Sequence, residues 1–432
     1  MPAPIATDWL ISVDDHVIEP THVWVDRLPA KHRDLGPRWV SDDEGESWLF
    51  QESQRVPVGG NVTDGAVWPM EERSGPFSVL RWSEVPEACY DPKARVKAMD
   101  RHHEIAAVCF PNMAGFAGSL FQSADDKELA LLCIQAYNDW FLEEWCVAAP
   151  GRFVGLAMIP MWDGELAAAE AERAINMGAR AVTFSMAPVN IGFPPITDEH
   201  WHPLFQLMND ANLPLCTHLG SGIGKADLDN AMANQKKMMD AVKDNDISKV
   251  AERFGIAQPG QGNTRRQLPS ASTSLIGARM GGDTINDWLD SGMFEKYPNL
   301  KVSLSENGVG WIPSVLSLQD WKSEMNRMAT VRPDEPVTRR DEGPLPSEIF
   351  REHMYGCFVH EPITPELLDI VGVDNVMIET DFPHTATNFP YSLERAQDCM
   401  VGLPHDVQYK ILRGNAERVF NFQPAEPPIL VG

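Results

Sequence analysis

The chain has 432 residues, of which 43% are hydrophobic and 23% are charged, as is typical of a soluble globular protein. Its 62 acidic and 36 basic side chains give a formal net charge of −26, which argues against binding to nucleic acid or to anionic membrane surfaces. Residues 1–8 lack the features of a secretion signal, no apolar run approaches the roughly 20 residues of a membrane helix, and the seven cysteines show no paired spacing, so we expect a cytoplasmic protein with reduced thiols.

Short apolar segments alternate along the chain with longer segments of helical periodicity. Strands that are buried on both faces are apolar throughout, and parallel strands alternate with helices. The pattern therefore predicts an α/β fold, a (β/α)8 TIM barrel formed by residues 1–432 as one domain. A doubly wound sheet is the alternative, but the glycine-rich phosphate-binding turn that usually marks it is missing. The predicted strands are 10–16, 106–111, 153–160, 181–185, 214–219, 301–306, 354–359 and 376–381.

Two long insertions follow the first and the fifth predicted strands. Residues 33–90 contain a predicted β-hairpin around Gly45. Residues 220–282 are rich in Gly, Met, Asn and Gln, and include a charged segment with helical character at 227–254. Long loops on the catalytic face of a barrel commonly carry function, so we expect the insertions to act as lids or as contacts with a second subunit.

Side chains that can bind metal stand at the ends of four predicted strands, where barrel enzymes build their active sites. The first strand ends in Asp14-x-His16, and residues two apart on a strand point to the same face. The fifth ends in His218, the sixth in Glu306 and the eighth in Asp381. Two histidines and several carboxylates, with space for water, predict an open catalytic site for zinc, manganese or iron.

Several short motifs are shared with one known family. They are VDDHVIEP at 13–20, FPN at 110–112, AYNDW at 136–140, THLGSG at 217–222, FEKYPNL at 294–300, SENGVGWIP at 305–313, ETDFPH at 379–384 and RGNA at 413–416. With them the chain resembles the amidohydrolase superfamily. Within it, the chain is similar to the amidohydrolase-related family that includes aminocarboxymuconate-semialdehyde decarboxylase, resorcylate-type decarboxylases and several hydrolases. The resemblance runs from residue 11 to about residue 420 and so covers nearly the whole chain.

The resemblance implies that Asp14, His16, His218 and Asp381 are ligands of a divalent metal ion, zinc or manganese. Asp14 stands where the commonest members have the first histidine of His-x-His, as in some decarboxylase relatives. Other members place a carbamylated lysine at the end of the fourth strand, where it bridges two metals. Segment 181–185 has no lysine, so the resemblance does not support that two-metal hydrolase site.

Three side chains are candidates for proton transfer. A metal ion lowers the pKa of bound water or polarises a substrate oxygen, and Asp381 could take a proton from that water. Glu306 stands where the decarboxylases often have a histidine, and it could act as an acid or base or as a further metal ligand. His384 is the third candidate or a substrate contact, while Glu19 could orient a ligand or simply occupy a turn.

Together these features predict a metal-dependent hydrolase or non-oxidative decarboxylase of a small carboxylated, aromatic or cyclic metabolite. The Asp-x-His arrangement favours decarboxylation, and Glu306 in place of histidine disfavours it. The alternative is an iron oxygenase on the same barrel, in which Glu306, Glu19 or His384 would help to bind a second iron. Because barrels of this family usually pair, we also expect a homodimer.

Overall fold

The computed structural model describes residues 8–43, 45–56, 81–224, 276–330, 343–384 and 386–427, without the side chains of 327–330. Most of the second predicted insertion, including its predicted helix at 227–254, lies outside the described residues, as do residues 57–80 of the first. Within the described part, no helix is both long enough and apolar enough to cross a membrane.

Eight parallel strands form a single, nearly closed sheet in which neighbours follow chain order. In chain order, the strands in the described part of the chain are β1 (Leu10–Val17), β2 (Arg38–Asp42), β3 (Gly45–Phe50), β4 (Gln54–Val56), β5 (Glu104–Pro111), β6 (Phe153–Ala157), β7 (Ala179–Phe184), β8 (Pro214–His218), β9 (Lys301–Ser305), β10 (Met354–Phe358) and β11 (Val376–Ile378). The barrel consists of β1 and β5–β11. Its strands are almost entirely buried because helices cover the outside and side chains fill the inside. The predicted TIM barrel is confirmed.

Helices lie between the barrel strands, as the alternating pattern predicts. The helix Gly164–Met177 illustrates the local signals: the Asp163 carboxylate accepts the first free N–H groups, and Gly178, with φ of +114°, ends the helix. Within the described residues, the α-helices are Val23–Arg27, Pro92–Arg101, Ser119–Gln122, Lys127–Trp140, Cys146–Ala148, Gly164–Met177, His202–Ala211, Ile276–Asp290, Met293–Lys296, Ile312–Thr330, Pro346–His353, Pro365–Val371, Ser392–Cys399, His405–Tyr409 and Asn415–Val419, and π-helical turns occupy Phe141–Trp145 and Lys410–Gly414.

The first insertion contributes a small antiparallel sheet of β2, β3 and β4. Its turn contains Gly45, whose φ of +106° is accessible to glycine at little cost. Trp48 of β3 packs edge to face on Trp24 with ring centres 5.3 Å apart, and Phe50 packs on Phe121 at 5.5 Å. The predicted hairpin is therefore part of the hydrophobic core.

Six of the eight predicted strands end one to three residues earlier than expected, and two of these early ends fall at residues of the predicted site. The sixth, predicted to reach residue 306, ends at Ser305, and the eighth, predicted to reach 381, ends at Ile378. Glu306 and Asp381 have φ of +58° and +55°, which no extended strand can accommodate. Left-handed backbone is rare for residues with a side chain and concentrates at functional sites.

The barrel closes differently at one junction, where its first and last strands meet. No backbone ladder joins β11 to β1 among the strands described. Instead, Asp381 N–H donates to the Asp14 carbonyl at 2.9 Å, and His16 N–H donates to the Phe382 carbonyl at 2.7 Å. The register of β1 against β5 also shifts between Ser12 and Asp15. We call this junction, formed by residues 12–16 and 380–382, the seam.

Candidate metal centre

Asp14, His16, His218 and Asp381 converge in one fully buried space at the C-terminal end of the barrel. Asp14 Oδ1 lies 3.5 Å from His16 Nε2, and Asp14 Oδ2 lies 3.2 Å from His218 Nε2. The two histidine Nε2 atoms are 3.3 Å apart, and Asp381 Oδ1 is 3.2 Å from His16 Nε2. The four side chains predicted to be metal ligands are thus brought together.

The spacing of these atoms fits a small divalent cation. Metal–ligand bonds of about 2.1 Å place neighbouring ligand atoms about 3.0–3.4 Å apart in octahedral or tetrahedral coordination. Both oxygens of Asp14 are buried; no N–H group of the described structure donates to them, and the neighbouring Glu379 carboxyl can share a proton with them. A buried carboxylate among other acids is costly, and a cation among these four side chains would compensate it.

The histidines have the protonation state that metal binding requires. The Nδ1 atom of His218 lies 2.7 Å from the Leu219 carbonyl oxygen, which can only accept, so this nitrogen carries the proton. Its Nε2 lone pair is then free to face the cluster. Burial lowers the pKa of His218 below its ordinary value and that of His16 far below it, so both rings are neutral.

The carboxylates differ in their electrostatics. Burial, followed by the negative charges of Asp381 and Glu306, raises the pKa of Asp14 well above its ordinary value. Burial would also raise the pKa of Asp381, but the neighbouring His384 and His16 rings outweigh it and hold this pKa below its ordinary value. Neighbouring acids whose pKa values are shifted in opposite directions are typical of catalytic and metal-binding sites.

Glu306 lies at the open side of the cluster. One of its carboxylate oxygens is 3.8 Å from His218 Nε2, and its side chain is 30% exposed. Burial of the remainder and the charge of Asp381 raise its pKa to about 7, against the opposing effect of His218. Glu306 is therefore near enough to act on a group bound at the cluster and is also open to solvent.

His384 lies on the other side of Asp381. Its Nδ1 atom is 3.1 Å from Asp381 Oδ1, and its ring stacks on the His16 ring with centres 3.5 Å apart. His16, Asp381 and His384 form a second group of side chains that could hold an ion. Glu19 is not part of either group, because its carboxylate accepts the backbone N–H groups of Asn112 and Met113 and so holds the loop after β5.

Two further residues at the site had not been singled out from the sequence. Glu379 is buried, accepts the backbone N–H of Glu306 at 2.9 Å, and its carboxyl lies against that of Asp14. Phe116 stacks on His218 with ring centres 3.8 Å apart. A signal for Glu379 was available, since it stands two residues before Asp381 in the ETD motif, whereas no local pattern marks Phe116.

The chain is similar to several known proteins. A model of the amidohydrolase family matches residues 21–422. The gamma-resorcylate decarboxylase of Polaromonas sp. strain JS666 is 24% identical over 354 residues, which cover 78% of this chain and 90% of that relative. Among solved structures, an amidohydrolase from Mycobacterium avium subsp. paratuberculosis matches with a TM-score of 0.65 at 20% identity, covering 95% of this chain and 99% of its own.

A dihydroxybenzoic acid decarboxylase from Polaromonas sp. strain JS666 has also been solved, with bound manganese and the inhibitor 2-nitroresorcinol. It matches with a TM-score of 0.54 at 18% identity and covers 97% of this chain and 98% of its own. At this level of identity the solved structures show a common fold. Because the family model matches nearly the whole chain, the protein belongs to the amidohydrolase family.

Proposed function

We propose that the protein is a metal-dependent decarboxylase of a small aromatic carboxylate. The observation that carries the proposal is the buried convergence of Asp14, His16 and His218, whose potential ligand atoms all lie within 4.8 Å of one another. Similarity to a gamma-resorcylate decarboxylase over 90% of that relative's length favours decarboxylation among the reactions of the family. Hydrolysis is the second candidate, because Glu306 lies where a carboxylate could take a proton from water.

In this proposal Asp14, His16, His218 and Asp381 hold one divalent ion, manganese or zinc. When bound, such an ion polarises substrate oxygens or lowers the pKa of water. Glu306 could add a further oxygen ligand from the open side, 3.8 Å from His218 Nε2.

Decarboxylation breaks the bond between the ring carbon and the carboxylate carbon, releases carbon dioxide and places a proton on the ring carbon. The chain must therefore supply a proton donor beside the substrate ring. His384, whose Nδ1 is 3.1 Å from Asp381 Oδ1, is one candidate, and the partly exposed Glu306 is the other. Phe116, stacked on His218, offers an aromatic face against which a substrate ring could pack.

The first test is metal content followed by activity. Elemental analysis should find about one manganese or zinc per chain, as an open three- to five-ligand site requires. The metal-loaded protein is then assayed for carbon dioxide release from hydroxylated benzoates, before and after chelation. His218→Ala should lose the metal and reduce activity by about 100-fold or more, whereas His22→Ala, at an exposed histidine, should stay within about twofold of wild type.

The alternatives predict different results. Metal-dependent cleavage of lactones, esters or amides without carbon dioxide release would favour hydrolysis. Two irons per chain with oxygen consumption would favour the oxygenase predicted as the alternative, with His16, Asp381 and His384 as part of the second site. Carbon dioxide release that survives complete metal removal would contradict the proposed function. The homodimer stays a prediction, and light scattering of the purified protein tests it.

A further inference from the structure

The proposed ligands stand on both sides of the seam. Asp14 and His16 belong to β1, whereas Asp381 follows β11. Elsewhere in the barrel, ladders fix neighbouring strands; β8 and β9, for example, are paired through five residues. At the seam only two backbone hydrogen bonds cross, so side chains must contribute to the relative placement of the ligands.

Asp15, between the two ligands of β1, makes those contacts. It is fully buried, and its Oδ1 atom accepts hydrogen bonds from Ser12 Oγ at 2.8 Å and from Thr380 Oγ1 at 2.6 Å. The same atom lies 3.3 Å from the donating N–H of Phe382. Thr380 N–H in turn donates to Ser12 Oγ at 2.9 Å. Three of these hydrogen bonds cross the seam, and they hold Thr380 and Phe382, the residues immediately before and after Asp381.

Arg95 anchors Asp15 from behind. Its Nη1 atom is 3.2 Å from Asp15 Oδ2, and both side chains are fully buried. The guanidinium also donates to the carbonyls of His16 and Ala88, and it lies 4.5 Å from the centre of the Phe382 ring. One cation therefore pairs with Asp15 and contacts the backbone or ring of residues on both sides of the seam. Such networks, when fully satisfied, hold a single arrangement of their members.

We propose that Asp15, anchored by Arg95, is a positioning residue that sets the distance between the metal ligands of β1 and Asp381. It touches neither metal nor substrate, and it acts through the backbone of residues 14–16 and 380–382. The proposal rests on the metal site of the proposed function and adds to it a determinant of metal affinity. Groups that orient ligands in this way typically change metal affinity by about 10- to 100-fold when they are lost.

The test uses Thr380, because replacing Asp15 would remove the ion-pair partner of the buried Arg95 and could unfold the chain. Thr380→Val removes the hydroxyl that donates to Asp15 and keeps the shape, while Thr380→Ser keeps the hydroxyl. Thr217→Val is the matched control. Thr217 is also buried, immediately precedes a ligand, and donates one hydrogen bond to Ser303 O at 3.0 Å, but it lies at a junction that a ladder fixes.

Each variant is stripped of metal, and its dissociation constants for Mn²⁺ and Zn²⁺ are measured by competition with a chelating dye. Thr380→Val should bind both ions about 10-fold more weakly or worse, with Thr380→Ser and Thr217→Val within about threefold of wild type. The absorption spectrum of the Co²⁺-loaded protein should change only in Thr380→Val. Melting temperatures of the metal-free forms should fall similarly in both valine variants.

Equal metal affinity in Thr380→Val and Thr217→Val, whether both are normal or both are weakened, would overturn the positioning role. The readout does not require substrate, so it separates the two proposals. A wild-type chain that binds metal but releases no carbon dioxide would overturn the proposed function alone. A wild-type chain that binds neither ion would overturn both.

Discussion

Replacing Asp14 by asparagine should stabilise the metal-free protein and destabilise the metal-loaded one relative to wild type. Without metal, the Asp14 carboxylate is fully buried and lies among the other acids Asp381, Glu306 and Glu379. Asparagine has nearly the same size but carries no charge. With metal present the order should reverse, because the ion then compensates the carboxylate and the amide is a poorer ligand.

The size of the effect follows from the environment of Asp14. Leaving one buried charge without its partner typically costs about 3–5 kcal/mol, and proton uptake relieves part of it because burial and the charges of Asp381 and Glu306 raise the pKa of Asp14. We expect Asp14→Asn to raise the metal-free free energy of unfolding by about 2 kcal/mol. With an unfolding entropy of about 2.1 cal/mol/K per residue over 432 residues, this is a rise of roughly 2 °C in Tm.

Metal at about 1,000 times its dissociation constant stabilises wild type by about 4 kcal/mol, whereas a variant with about 1,000-fold weaker binding gains under about 1 kcal/mol. The assay is thermal unfolding of chelator-treated protein with and without MnCl₂. Asp26→Asn, at an exposed aspartate, is the control and should change neither form by more than about 0.5 kcal/mol. A metal-free Asp14→Asn protein that melts below wild type would refute the reasoning.

Three further predictions concern proton transfer, pH and packing. His384→Asn should lower turnover by about 100-fold or more with the manganese dissociation constant within about threefold of wild type, measured by steady-state kinetics and dye competition; a matching loss of affinity would instead make His384 a ligand. Burial raises the pKa of Glu19 from 4.5 to about 7, so the folded state holds this proton more tightly than the unfolded state. The free energy of unfolding should therefore fall by about 3 kcal/mol as the pH rises from 4.5 to about 7. Denaturant titrations across this pH range should show the fall in wild type but not in Glu19→Gln. Asn138→Ala removes two hydrogen bonds to the backbone of Met158, at 2.8 and 2.9 Å, and should lower the free energy of unfolding in urea by about 2–4 kcal/mol. Wild-type stability of this variant would contradict the prediction.

The barrel and the convergence of the candidate ligands could be predicted because both depend on local sequence. Continuous apolar segments mark strands that are buried on both faces, and a polar residue at the end of each segment marks the edge of the sheet where the active site lies. His16, His218 and Asp381 are each visible in this way. Their distances in the chain do not matter, since the fold class alone brings strand ends together.

The interactions that support the ligands could not be predicted, because they join residues that no short pattern relates. Asp15 pairs with Arg95, 80 residues later, and with Thr380, 365 residues later. In the sequence, Asp15 is simply a second acid beside Asp14. The positive φ angles that end β9 at Glu306 and turn the chain at Asp381 likewise depend on tertiary contacts and not on the residues themselves.

The aromatic contacts of the first insertion have a consequence for shortening this chain. Trp48 and Phe50 cover Trp24 and Phe121, which lie on the helices Val23–Arg27 and Ser119–Gln122. Trp24 also donates its indole N–H to the Cys133 carbonyl. A truncated protein that lacked β2–β4 would expose two large rings to water and would tend to aggregate. The insertion therefore cannot be deleted without further changes. A shortened chain would need polar residues in place of Trp24 and Phe121 before the hairpin could be removed.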